Sequence, residues 1–242
     1  MLQCFCGKLL PMNRRIFWCL VIPALLATGL AGQGVRQSAR PIGFADAIQE
    51  FLNQDKSSPP PQGAILFIGS SIFRQWTDLK KQMEPLPVFN RAFGGSRTWE
   101  VLHYMDKIVL PYKPRIIVYY CGSNDVDAGA GAAEIFANFK AFVDKVSAGL
   151  PETRIFYVSI NKAPEKKALW NVVEEANSLI RDYTAHNTKL GFIDVNPVLF
   201  DAAGKPRLEL YRDDLLHFYP PAYVEFTKII RPVIEKAWSR SH

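Results

Sequence analysis

The chain has 242 residues, of which 48% are hydrophobic, and it carries a formal net charge of +6 at pH 7. A chain of this length and composition can bury one well-filled core, and it contains no internal repeat or low-complexity block. The first 31 residues hold three basic residues and no acidic one, so the remainder carries only +3, which gives little support to nucleic-acid binding.

The first 31 residues have the pattern of a secretory signal peptide. Basic residues within 12–15 precede an apolar run over residues 16–26, and small residues over 27–31 supply a cleavage site after Ala31. Met12 is a natural start, which makes residues 1–11 a candidate upstream extension. We expect a secreted or periplasmic protein without stable membrane insertion after cleavage. An uncleaved anchor is the alternative, although the run is shorter than the ~20 residues of a membrane span.

Cysteine usage argues against disulfides and metal sites. Cys4, Cys6 and Cys19 lie in the N-terminal segment, and only Cys121 remains. A single cysteine cannot form an internal disulfide, and no metal-ligand spacing is present, so the sequence predicts neither a metal nor a cofactor. Because Cys121 ends an apolar strand-like run, we interpret it as a buried packing thiol rather than a reactive one.

Residues 32–62 are predicted to lead into the domain. An apolar stripe at helical spacing predicts a helix over residues 43–54. The run Ser-Ser-Pro-Pro-Pro at residues 57–61 ends that helix and forms a stiff linker. The folded domain is therefore expected over residues 63–242.

Within this domain, short apolar runs alternate with amphipathic stretches. Continuous runs rich in Ile, Val, Phe and Tyr are typical of strands that are buried on both faces. The predicted strands are residues 64–68, 87–90, 115–121, 154–160 and 190–195. The predicted helices are residues 98–109, 132–150, 165–186 and 220–238. This alternation implies parallel strands with right-handed crossovers and predicts an α/β fold, a three-layer α/β/α sandwich.

The junction after the first predicted strand carries a candidate nucleophile. The apolar run stops at Gly69 and Ser70, and Ser71 opens an amphipathic segment, which predicts a strand, a sharp turn and a helix. Ser71 would lie at the carboxyl end of the strand, where open α/β sheets place their ligands. The alternative is that Gly-Ser-Ser is only a turn with a helix cap.

Three further polar loops can complete a site for acyl transfer. They are residues 90–96 and 122–125, which follow the second and third predicted strands, and residues 213–217, which precede the last helix. His217 can act as the base that activates Ser71, and Asp214 can orient the imidazole. Taken singly, these loops are also explained as turns and a helix cap.

The negative charge of a tetrahedral intermediate needs hydrogen-bond donors. The candidates are the backbone N–H of Ser71, the backbone N–H of Gly95 and the side-chain amide of Asn124, each worth about 3–4 kcal/mol of barrier. Arg74 and Trp99 follow two of the loops and are candidate substrate-binding residues. Helix packing and solvated charge explain these two residues equally well.

The order of these segments resembles the SGNH hydrolases, also called the GDSL esterase/lipase family, over residues 63–237. The resemblance implies a catalytic triad of Ser71, Asp214 and His217, with Ser71, Gly95 and Asn124 as the oxyanion hole. It also implies a five-stranded parallel sheet with flavodoxin-like strand order. The family's Gly-Asp-Ser reads Gly-Ser-Ser here, so that Ser70 stands where the family has Asp. If the register differs by one residue, Gly94 is the alternative donor.

The resemblance implies a serine esterase that cleaves small carboxylic esters through an acyl-enzyme. The loop at residues 90–95 resembles the acetylhydrolase-like branch, and the absence of an obvious inserted lid in the sequence favours short acyl chains. A lysophospholipase or a thioesterase of the same family is the alternative activity. An inactive carbohydrate- or lipid-binding module on the same scaffold is the alternative from another class. The expected partner is a small-molecule ester rather than a nucleic acid, and the oligomeric state stays open.

Overall fold

The computed structural model describes residues 41–239, so the predicted signal peptide and the start of the leader lie outside the described residues. Five strands form one fully parallel sheet. They are β1 Ile65–Gly69, β2 Val88–Asn90, β3 Ile116–Tyr120, β4 Arg154–Val158 and β5 Leu190–Ile193. Their order across the sheet is β2-β1-β3-β4-β5, which confirms the flavodoxin-like arrangement.

Helices connect and follow the strands. The α-helices are α1 Ala45–Ser57, α2 Ser71–Arg74, α3 Leu79–Gln82, α4 Thr98–Ile108, α5 Ser123–Asp127, α6 Ala132–Gly149, α7 Trp170–Ala185 and α8 Pro220–Ser239. Short 3-10 helices cover Leu110–Tyr112, Pro164–Leu169, Asn196–Leu199 and Leu208–Leu210. Among residues 41–239, no helix has both the length and the apolar character needed to cross a bilayer.

The two faces of the sheet are covered by different helices. Along β1, Ile65 and Phe67 pack in one apolar cluster with α2, α3 and α8, whereas Leu66 and Ile68 pack in another with α4, α6 and α7. All four side chains are fully buried, and each contributes about 1.5–3 kcal/mol relative to exposure. This alternation confirms the predicted three-layer sandwich and explains why the strands read as continuous apolar runs.

Two helix boundaries differ from the predictions by three or more residues. The helix predicted over residues 165–186 begins as an α-helix only at Trp170, after a 3-10 helix in which Lys166 has non-helical torsions of φ −100° and ψ 24°. The Trp170 indole N–H donates to the Ala163 carbonyl at 2.8 Å and holds this entry. At the other end of the chain, α1 runs to Ser57, three residues beyond the predicted end.

Helix α1 is tied to the domain by a buried corner. Asp55 forms an ion pair with Arg91 and accepts a hydrogen bond from the Tyr112 hydroxyl. The Arg91 guanidinium also stacks on the Phe51 ring at 5.2 Å from its centroid. Because Arg91 directly follows β2, this corner fixes the start of the loop that carries Gly95.

Candidate active site

Ser71 is the first residue of α2 and follows β1 after a sharp turn. Gly69 has φ +138°, and Ser70 is extended with its backbone N–H donating to the Tyr120 carbonyl at 3.0 Å. The Ser70 side chain makes no capping hydrogen bond to the described residues. Backbone contacts with β3 therefore hold this turn, and the helix-cap alternative does not account for it.

His217 lies beside Ser71 although 146 positions separate them. Its Nε2 is 2.9 Å from the Ser71 Oγ, and its Nδ1 is 2.6 Å from Asp214 Oδ2. With the proton on Nδ1, the imidazole donates to the carboxylate and accepts from the serine hydroxyl. The structure thus brings the three predicted residues into one continuous hydrogen-bonded chain.

Asp214 is held as a carboxylate. Burial acts to raise its pKa, but the hydrogen bonds from the His217 side chain and from the backbone N–H groups of His217 and Leu216 outweigh that effect and lower the pKa to about 2. The two backbone bonds are 2.8 and 3.0 Å long. At neutral pH, where an imidazole can act as a base, the Asp214 side chain is consequently a charged carboxylate.

The segment that carries Asp214 and His217 is a closed loop. Tyr211 and Phe218 form an antiparallel bridge at its base, and the Arg212 N–H donates to the His217 carbonyl at 2.7 Å. Leu215 lies between the two candidate catalytic residues with a left-handed φ of +54°. This turn lets the carboxylate reach back to the imidazole three residues later.

Ser96 connects the three loops that carry the candidate oxyanion donors. Its hydroxyl donates to the Gly69 carbonyl at 3.1 Å, and its own carbonyl accepts from Asn124 Nδ2 at 3.0 Å. An amide nitrogen carries two hydrogens, so Asn124 keeps one for a ligand. Gly95, the residue before Ser96, is exposed and has φ +84°.

The buried Cys121 takes part in the same junction. Its Sγ donates to the Ser96 carbonyl at 3.3 Å, and burial raises the pKa of the thiol well above its usual value. This is the packing role interpreted from the sequence, because a thiol that is hard to ionise is a poor nucleophile.

Asp125 is a residue of the site that could not be assigned a role from the sequence. It is 1% exposed and accepts hydrogen bonds from the Thr98 N–H at 3.0 Å and from the Thr98 hydroxyl. Asn138 Nδ2 donates to that hydroxyl at 3.0 Å. Asp125 thereby fastens the helix of Asn124 to the start of α4. Burial raises its pKa to about 6, although the Thr98 hydrogen bonds oppose the shift.

This raised pKa predicts a pH-dependent difference in stability between the wild type and Asp125→Asn. The native state binds the Asp125 proton more tightly than the unfolded chain, in which this carboxyl has a pKa of 3.8. That contribution is complete below pH 4 and is lost as the pH rises through 6. Relative to Asp125→Asn, the wild type should lose up to about 3 kcal/mol of unfolding free energy between pH 4 and 7.

Urea unfolding of both proteins at pH 4, 5, 6 and 7 measures this difference. Asp144→Asn, at an exposed carboxylate on α6, is the control and should run parallel to the wild type. Parallel curves for wild type and Asp125→Asn would contradict the assignment.

The two candidate substrate-binding residues have different environments. Arg74 ends α2 and is exposed, and its guanidinium lies against Gly94. Trp99 is only 4% exposed, and the Arg97 guanidinium lies 5.6 Å from its ring centroid. Arg74 is therefore open to a substrate, whereas Trp99 presents little surface to one. Within residues 41–239, no group of three or more His, Cys, Asp or Glu side chains is arranged to hold a metal ion.

The sequence matches the family model described as the GDSL-like lipase/acylhydrolase family over residues 67–223. This match spans more than half of the chain and includes all of the loops that form the candidate site. The chain belongs to this family. Its reaction class is accordingly the hydrolysis of esters. No curated protein sequence matches the chain.

Solved structures share the fold at low sequence identity. A candidate acylhydrolase from Bacteroides fragilis is 18% identical with a TM-score of 0.70, covering 80% of this chain and 98% of its own. A GDSL-like lipase from Bacteroides thetaiotaomicron is 18% identical with a TM-score of 0.67, covering 78% and 98%. A carbohydrate esterase family 3 protein from Talaromyces cellulolyticus is 16% identical with a TM-score of 0.57, covering 72% and 98%.

Proposed function

We propose that the protein is a serine esterase that hydrolyses small carboxylic esters through an acyl-enzyme intermediate. The observation that carries this proposal is the hydrogen-bonded chain from Asp214 through His217 to Ser71, at 2.6 and 2.9 Å. A hydroxyl, a base and an orienting carboxylate in series are the parts that nucleophilic acyl transfer requires. A binding module has no use for that series.

In the proposed reaction, Ser71 Oγ attacks the ester carbonyl while His217 Nε2 takes its proton. Asp214 stabilises the imidazolium that forms, and the N–H groups of Ser71 and Gly95 with the Asn124 amide bind the oxyanion. The imidazolium then gives its proton to the departing alkoxide, which leaves as the alcohol. Water activated by His217 attacks the acyl-Ser71 ester, releases the acid and restores the serine.

Short acyl chains are the proposed preference. His217 is 22% exposed and Asp214 is 49% exposed, so the triad lies near the protein surface. The fold neighbour described as a carbohydrate esterase supports esters of carbohydrate hydroxyls as a substrate class. A series of p-nitrophenyl esters from acetate to octanoate should give the highest kcat/KM with acetate, and a maximum at octanoate would reverse this preference.

Ser71→Ala should lower kcat/KM for p-nitrophenyl acetate by at least about a thousandfold, because the oxyanion donors and binding contacts that remain cannot replace the nucleophile. A serine-reactive phosphonate should label the wild type and leave Ser71→Ala unlabelled. Ser70→Ala is the matched control: its hydroxyl makes no capping bond, so labelling should persist.

Two outcomes would contradict this proposal. Wild-type activity in Ser71→Ala would show that another group is the nucleophile. A folded wild type that neither reacts with the phosphonate nor turns over any ester would favour the binding module.

A further inference from the structure

Arg74 lies one helical turn after Ser71 on the same short helix. Residues three apart on a helix share a face, so both side chains project from the same side of α2. The Cβ position of an alanine at Gly94 would lie 3.3 Å from Arg74 Nη1 and 3.8 Å from the Ser71 Cβ. Arg74 Nη1 therefore lies no more than 7.1 Å from the Ser71 Cβ.

This guanidinium has no acidic partner in the part of the chain that the structure describes. Two other cations near the site have acidic partners. Arg97 forms an ion pair with Glu100, and Lys166 lies 3.1 Å from Asp127. Asp214 is bonded to His217 and is not free to neutralise Arg74. Arg74 thus leaves an uncompensated positive charge beside the candidate nucleophile, on an exposed side chain.

We propose that Arg74 binds an anionic group of the substrate, so that the preferred substrates are carboxylic esters that also carry a carboxylate, sulfonate, sulfate or phosphate. This inference rests on the proposed esterase function and narrows its substrate class. A guanidinium presents paired N–H donors that match the oxygens of these groups, and such charge-assisted hydrogen bonds are the stronger ones. The anion can lie on the acyl or on the alcohol part, and the experiment separates these two cases.

The test compares three esters: neutral p-nitrophenyl acetate, mono-p-nitrophenyl succinate with the anion on the acyl part, and 4-acetoxybenzenesulfonate with the anion on the alcohol part. Each is measured with wild type, Arg74→Gln and Arg74→Lys. Ratios of variant to wild type for each ester cancel the intrinsic reactivity of the ester. Arg181→Gln is the matched control, since Arg181 is an exposed arginine beside β5, three strands from β1.

We expect Arg74→Gln to lower kcat/KM for one of the two anionic esters at least tenfold more than for the neutral ester, because a charged hydrogen bond is lost only with the anion. Arg74→Lys should recover part of the loss, as a point charge without the paired donors. High salt should weaken the wild-type preference, because the side chain is exposed. Arg181→Gln should change none of the three ratios.

Two results would overturn this inference. Equal losses on all three esters would mean that Arg74 only supports the Gly94 loop, and unchanged ratios would mean that it does not touch the substrate. A wild type that hydrolyses none of the esters would instead defeat the esterase proposal itself, so the two failures are distinguishable.

Discussion

His217→Gln should lose at least about a thousandfold in kcat/KM, and the double variant Ser71→Ala/His217→Gln should lose no more than the worse single variant. The hydroxyl is a weak nucleophile without the base, and the base has nothing to deprotonate without the hydroxyl, so the two act as a unit. Kinetics with p-nitrophenyl acetate at pH 8 for the four proteins of this cycle measure the coupling. Additive losses would mean that the 2.9 Å contact between Ser71 and His217 is not used in catalysis.

Asp214→Asn should lower kcat/KM at least about a hundredfold, because it changes which tautomer of the His217 imidazole is favoured. The Oδ1 of the amide can keep the backbone bonds from Leu216 and His217, but its NH₂ then faces His217 Nδ1. This arrangement favours the tautomer protonated on Nε2, which cannot accept the Ser71 proton. Asp213→Asn, one residue earlier and also exposed, is the matched control and should stay within about twofold.

The parallel sheet could be predicted because its strands are buried on both faces, whereas the order of the strands was implied only by the family resemblance. In the apolar run that ends at Gly69, every side chain is buried whichever face of the sheet it points to. Strand β1 consequently lies within two residues of its predicted bounds. The entry to α7 could not be predicted from helical periodicity. It depends on the hydrogen bond from the Trp170 indole to Ala163, seven residues earlier, and on the burial of Lys166 beside Asp127, neither of which follows from helical periodicity.

The candidate site divides in the same way. Ser71, Asp214 and His217 could be singled out because each stands in a short motif next to a predicted strand or helix. Ser96 and Asp125 stand in the same segments, yet their roles consist of hydrogen bonds to Gly69 at the end of β1 and to Thr98 at the start of α4. Such bonds exist only once β1 inserts between β2 and β3, so local sequence carries no signal of them.

The glycine at the end of β1 should be the least replaceable residue of the site. Gly69 has φ +138°, and a Cβ there would lie 1.7 Å from the Tyr120 carbonyl oxygen and 2.6 Å from its carbon. Both atoms belong to the backbone of β3, which pairs with β1 and cannot move aside alone. The same carbonyl accepts the Ser70 N–H, so a displacement would also open the turn that presents Ser71.

Gly69→Ala should therefore lower the free energy of unfolding by at least about 4 kcal/mol, a large share of the 5–15 kcal/mol typical of a domain. Gly122→Ala, just after β3, should cost less, about 2–4 kcal/mol. Its φ of +131° adds backbone strain as at Gly69, but its Cβ would meet the flexible end of Ile160, 2.5 Å away, rather than backbone. Gly149→Ala in α6 would meet only Leu110 at 3.8 Å and should be neutral or slightly stabilising.

Urea unfolding ranks the three variants, and soluble yield serves where Gly69→Ala does not fold. The graded order matters more than any single value. Gly69 and Gly122 share the strain of a positive φ, so the difference between these two variants should follow what the added methyl group meets: a backbone carbonyl in the sheet or the tip of a side chain. Gly149 has neither the strain nor a close contact. A Gly69→Ala protein as stable as Gly149→Ala would mean that β1 and β3 can separate at this point. The position of Ser71 would then depend on contacts other than the close approach of these two strands.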